Sequence, residues 1–179
     1  TEGRSWAVLF GDGAGAMVLR RGRQDEGIVA GRLSSDSADY DLIHVPAGGF
    51  TNQPWIDAAQ LEAGLHIPKM NGMELFRRAV RAMPEAVESA LADIGATVED
   101  LALVVAHQAN ERIVAAVARQ LGLDAASVPT NIARYGNTTA GTLPILYDEL
   151  RRSGRVGPGD LIAFTAFGAG AHWGAVIYR

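Results

Sequence analysis

The chain contains no cysteine, which excludes disulfides, thiolate metal sites and a cysteine nucleophile within its 179 residues. Long hydrophobic runs are missing too. Segments such as Leu101 to Ala106 fall far below the roughly 20 apolar residues that span a bilayer. Positive charge is not in excess. Sixteen Lys and Arg against 20 Asp and Glu leave a net charge of −4, which recommends neither nucleic acid nor an anionic membrane as partner. None of the four histidines (His44, His66, His107, His172) forms an H-x-x-x-H pair or stands at ligand spacing from a carboxylate, so no metal site is expected. No G-x-S-x-G elbow supports a serine nucleophile. No signal-peptide pattern is visible, which points to the cytoplasm. The start, Thr1-Glu2-Gly3-Arg4, has no initiator Met and runs at once into a strand-like segment, as a cut or processed end would.

What is present fits one domain with a real core, since the chain is too short for two ordinary ones. Trp6 to Phe10 and Ala16 to Arg20 read as strands joined by Gly11-Asp12-Gly13-Ala14-Gly15, and Ile28 to Leu33 as a third. Ser34 to Pro68 has little periodicity, although Leu42 to Val45 suits a strand. Asn71 then offers an N-cap to a helix whose apolar positions run Met73, Phe76, Val80, Met83, Val87, Ala90, Leu91 and Ile94. Pro84 predicts a kink or break inside it, and Gly95 its end. Thr97 to Asp100 resembles a capping start before a buried strand, Leu101 to Ala106. A second helix carries Ile113, Val114, Val117 and Leu121, and a third spans about Thr139 to Arg152. Leu161 to Phe167 and Ala175 to Tyr178 close the chain as a hairpin. Strands alternating with helices imply an α/β layered fold with a mixed sheet.

Three stretches place polar or glycine-rich turns at apolar segment ends, where active sites of layered α/β proteins assemble: Ala106 to Asn110, Gly136 to Gly141, and Phe167 to Gly174. Gly11 to Ala16 can be forced into a dinucleotide fingerprint, but that pattern needs a helix next and a strand-like segment follows. Glycines permitting close backbone approach in a tight hairpin explain it better. His44 reads as a strand residue, His66 as undecided, and His172 beside Trp173 as packing. His107 differs, because it ends a buried strand just before a helix, whose N-terminus disfavours protonation. Asn137 suits either a turn or a polar role.

In family order and spacing, Phe10 to Ala16, Lys69-Met70-Asn71-Gly72, His107 to Ile113, Tyr135 to Gly141 and Ala166 to Gly170 resemble the ketoacyl synthase III enzymes of fatty acid synthesis, members of the thiolase fold. The resemblance implies the C-terminal half of a thiolase-like layered α/β molecule. Residues 1–179 would form that domain, with 1–33 as junction strands from the N-terminal half. It implies His107 and Asn137 as catalytic groups and the backbone N–H at Ala169 as an oxyanion donor. Met70, Asn71, Asn110 and Phe167 would bind the pantetheine arm, and Arg112 would face acyl carrier protein. The implied partners are a cysteine-bearing N-terminal half, acyl carrier protein, acyl-CoA and a second copy of the complete enzyme. No cofactor is implied, since coenzyme A and phosphopantetheine thioesters enter as substrates. Two departures stand out: Ala169 replaces the middle glycine of a usual three, and Ala171-His172 replace the residues that usually precede the closing Trp-Gly. Two other readings share these residues. One is acyl transfer to an oxygen or nitrogen nucleophile with His107 as base, and the other is a non-catalytic scaffold subunit.

Overall fold

The computed structural model describes residues 7–23, 25–50 and 52–179. In chain order the elements are β1 (Ile28–Ser35), β2 (Ile43–His44), α1 (Ala58–Glu62), β3 (Lys69–Met70), α2 (Gly72–Ala92), β4 (Leu103–Ala106), α3 (Glu111–Gln120), α4 (Ile132–Tyr135), α5 (Thr142–Arg152), β5 (Ile162–Gly168) and β6 (His172–Tyr178). Tight 3-10 turns at Ser37–Leu42, Val98–Asp100 and Thr139–Gly141 link them.

Four strands form one sheet in the order β1-β6-β5-β4. β4 and β5 are parallel, and the β5–β6 and β1–β6 pairs are antiparallel. The sheet is therefore mixed. Alternation along the strands sends side chains to two faces. Val104, Ala106, Ala163 and Ile177 pack with α2 and α3, while Leu103, Val105 and Ile162 pack with Leu146 and Leu150 of α5. The result is a helix–sheet–helix sandwich. Met83, Val87 and Leu91 of α2 are essentially fully buried, each contributing about 1.5–3 kcal/mol by area.

Asn71 caps α2 as expected, its Oδ1 accepting the Glu74 N–H at 3.2 Å. Gly95 (φ +67°) ends that helix, with the Ala96 N–H closing back on the Leu91 carbonyl at 3.1 Å. Pro84 does not break it. The helix runs without interruption through Pro84, which is itself buried in the core face, so packing outweighs the missing backbone donor.

The N-terminal segment departs most from expectation. Trp6 lies outside the described residues. Residues 7–9 form a turn, Phe10 makes a single parallel bridge to Asn137, and 16–20 is not a strand. Met17, Val18 and Leu19 are 51%, 95% and 79% exposed. A strand exists only where a partner completes its ladder, and no described residue pairs with this one. The glycine segment is thus an extended strap rather than a hairpin. Leu42 to Val45 shrinks to β2, which pairs with β3. The stretch read as irregular also holds α1, started by a reciprocal Asp57–Gln60 capping box. α4 occupies a stretch read as loop. The third helix begins as a 3-10 turn and becomes α-helical at Thr142.

Candidate active site

β4 delivers His107. The His107 N–H donates to the Thr165 carbonyl at 2.8 Å, extending the parallel ladder one residue past β4. The imidazole therefore stands at the carboxyl end of the parallel pair, where open α/β sheets place their ligands. Gln108, fully buried, clamps this strand end. Its amide donates to the Ala106 carbonyl at 2.8 Å, and its oxygen accepts from the Thr130 hydroxyl (2.7 Å) and the Asn131 N–H (3.2 Å). Asn110 caps α3 by accepting the Arg112 N–H at 2.9 Å. His107 Nδ1 lies 2.7 Å from Thr142 Oγ1. Burial lowers the His107 pKa to about 4, so the ring is neutral at pH 7. Desolvation is the cause.

The N-terminal strap delivers Asn137. The Asn137 N–H donates to the Leu9 carbonyl at 2.8 Å, and the Asn137 carbonyl accepts the Gly11 N–H at 3.0 Å. Such proximity demands glycine on both sides. A Cβ on Gly11 would fall 1.9 Å from the Tyr135 carbonyl oxygen, and Gly136 holds φ +68°. The Asn137 side chain is oriented by its own turn. Asn137 Oδ1 accepts the Thr139 N–H at 2.9 Å. A backbone N–H can only donate, so the oxygen must be the end that meets it, and the amide NH2 is the end left over. Thr139 is the one non-glycine residue with positive φ (+53°) among those described. A β-branched residue in that region is strained, and such strain concentrates at functional sites.

His107 and Asn137 line the same cleft, about 1360 Å³ and mostly apolar, together with Met70, Asn110, Phe167 and Ala169. Arg112 lines it too, with its guanidinium 5.8 Å from the centre of the Phe76 ring. Asn71 is not among the cleft residues, and its side-chain oxygen is engaged in the α2 cap. Ala169 occupies the β5–β6 turn without positive φ, so its Cβ brings no left-handed strain. Phe167 and Trp173 stack with ring centres 6.1 Å apart.

His172 is not core packing. It is exposed, lines the cleft, and has Nδ1 2.7 Å from Ser35 Oγ, its cross-strand partner on β1. Sequence reasoning did not single out Ser35, Thr139 or Thr142; the i, i+3 spacing of the two threonines at a helix start was the available signal for that pair. Among the described residues, no group of three or more His, Cys, Asp or Glu side chains is placed to hold a metal, and no helix is long and apolar enough to cross a membrane.

Solved structures share this architecture. The 3-oxoacyl-[acyl-carrier-protein] synthase III of Aquifex aeolicus VF5 matches with a TM-score of 0.82 at 36% identity, over 99% of this chain and 52% of that one. The synthase III of Thermus thermophilus matches with a TM-score of 0.81 at 32% identity, over 98% of this chain and 53% of that one. The molecule is an α/β protein of thiolase-like fold. The sequence matches 3-oxoacyl-[acyl-carrier-protein (ACP)] synthase III over residues 1–37 and the C-terminal part of that family over 91–179. It is 43% identical to the β-ketoacyl-[acyl-carrier-protein] synthase III of Synechococcus sp. (strain WH7803), over 99% of this chain and 52% of the relative. It is 41% identical to that of Erythrobacter litoralis (strain HTCC2594), over 99% of this chain and 53% of the relative. The chain belongs to the 3-oxoacyl-[acyl-carrier-protein] synthase III family. It spans about half the length of these curated relatives.

Proposed function

We propose that the chain is the C-terminal portion of a β-ketoacyl-[acyl-carrier-protein] synthase III-type acyltransferase. In this reading a cysteine on an N-terminal half takes an acyl group from coenzyme A, and this chain handles the malonyl thioester carried on acyl carrier protein. Residues 1–33 join the halves, Arg112 meets the carrier protein, and the complete enzyme pairs with a second copy.

One observation carries the proposal: an imidazole that burial keeps neutral and an amide of fixed orientation face one apolar cleft. Decarboxylation breaks the bond between the malonyl carboxylate and the α-carbon. Carbon dioxide leaves, and the bonding electrons pass onto the α-carbon and thioester oxygen as an enolate. N–H groups of Asn137 and His107 aimed at that oxygen stabilise the charge. The α-carbon then attacks the acyl-cysteine carbonyl, whose oxyanion the Ala169 N–H receives, and the cysteine leaves as thiolate. The apolar wall excludes water, which strengthens each of these interactions.

A second reading, transfer to an oxygen or nitrogen nucleophile with His107 as base, draws on the contact between His107 Nδ1 and Thr142. Both readings place the nucleophilic cysteine on another half. Incubated with acyl-CoA, this chain alone is expected to gain no acyl mass in an intact-mass spectrum. Combined with a cysteine-bearing N-terminal half, the acyl group is expected on that partner's cysteine. A covalent acyl adduct on this chain would overturn the assignment.

A further inference from the structure

The hydrogen count around His107 has a chemical consequence. Thr142 Oγ1 lies 2.7 Å from His107 Nδ1 and 2.8 Å from the Thr139 carbonyl oxygen. A hydroxyl carries one hydrogen, and a carbonyl oxygen can only accept. Thr142 stands at the first position of α5, where a threonine hydroxyl readily bonds the carbonyl three residues back. With its hydrogen on Thr139, Oγ1 has only lone pairs left for Nδ1. Both short contacts are then satisfied only when Nδ1 bears the ring hydrogen. The strained φ of Thr139 belongs to the same turn, since its N–H holds Asn137 Oδ1 while its carbonyl holds the Thr142 hydroxyl.

We propose that Thr142 is a positioning residue that sets the tautomer of His107, holding it as Nδ1–H and presenting the Nε2 lone pair to the cleft. Resting on the synthase reading, this deepens it. Nε2 must carry hydrogen to stabilise an enolate, so when the thioester binds Nε2 takes a proton from solvent in the cleft, Nδ1 gives up its own to solvent, and the Thr142 hydroxyl turns from the Thr139 carbonyl to donate to Nδ1. The same hydroxyl serves both arrangements by rotation about one bond. Thr142 is 2% exposed, so water does not substitute for it.

The test is the ¹⁵N spectrum of the histidine rings at pH 7, recorded on the full chain without substrate. The His107 resonances are assigned by their loss in His107→Asn. In the native protein, Nε2 is expected at the far-downfield position of an unprotonated ring nitrogen, and Nδ1 at that of an N–H. Thr142→Val leaves a buried Nδ1–H with no acceptor, so the pattern inverts, shifting the tautomer ratio about tenfold or more. Thr142→Ser restores it. Unchanged resonances of His44, His66 and His172 verify the fold of each variant. A native spectrum with hydrogen already on Nε2 would overturn the proposal, as would a Thr142→Val spectrum that keeps the native pattern. The spectrum needs no turnover, so failure of the synthase reading would leave its result intact.

Discussion

Replacing Asn137 with aspartate lowers malonyl decarboxylation by the complete synthase about 1,000-fold or more, because charge repulsion adds to the roughly 100- to 1,000-fold usual cost of one lost oxyanion donor. The two side chains have nearly the same shape, and aspartate still accepts the Thr139 N–H as Asn137 Oδ1 does. The turn therefore keeps its internal hydrogen bond. What changes is the end facing the cleft, where an NH2 donor becomes a carboxylate oxygen that repels the developing enolate. Asn137→Ala removes the donor without adding charge, and is expected to lose less. Carbon dioxide release measured under saturating substrate, alongside the thermal midpoint, separates this effect from misfolding. Equal rates in Asn137→Asp and the native enzyme would remove Asn137 from the chemistry.

Gly11→Ala lowers the same rate about 100-fold without touching a polar group, the scale of loss that a displacement of about 1 Å produces. The new Cβ would stand 1.9 Å from the Tyr135 carbonyl oxygen, which is backbone and cannot turn aside. The strap must retreat. With it go the Leu9 carbonyl and Gly11 N–H that hold both backbone groups of Asn137. Gly157→Ala is the matched control. Its Cβ would meet nothing closer than 3.8 Å, and its φ is not positive, so rate and stability are expected to stay at native levels. Native activity in Gly11→Ala would show that the strap does not hold Asn137 in place.

Local signals in the sequence account for the elements whose partners are near in the chain. α2 follows from its apolar spacing, the Asn71 cap and Gly95, and the closing hairpin follows from a turn between two β-rich runs. Two strands with distant partners, Ile28 to Leu33 and Leu101 to Ala106, were also legible from their apolar runs, but the N-terminal segment was misread. Trp6 to Phe10 and Ala16 to Arg20 have strand-like composition, yet the described part pairs only through Phe10 and Asn137, some 130 residues away in sequence. The glycines between them were rightly taken as permitting close backbone approach. What they approach is the Tyr135–Gly136 turn, which no local pattern reveals.

The site divides the same way. His107 stood out at the end of a buried strand, Asn137 suited a turn equally well, and the family resemblance alone marked both as catalytic, while the contacts of Thr139 and Thr142 exist only once α5 packs beside β4. Asn71 was legible as a helix cap, which is how the fold uses its oxygen. His172 was misread because its neighbour Trp173 packs against Phe167, whereas the histidine itself meets Ser35, its cross-strand partner on β1.

The central claim is that the cleft directs a decarboxylated malonyl unit to carbon, and the product stoichiometry of the assembled enzyme tests it most directly. Malonyl-[acyl-carrier-protein], labelled in its free carboxylate, is supplied with acyl-CoA to this chain combined with its cysteine-bearing half. The account predicts one labelled carbon dioxide released for each 3-ketoacyl product formed. Acyl transfer to an added alcohol or amine, with the malonyl label retained, would contradict it.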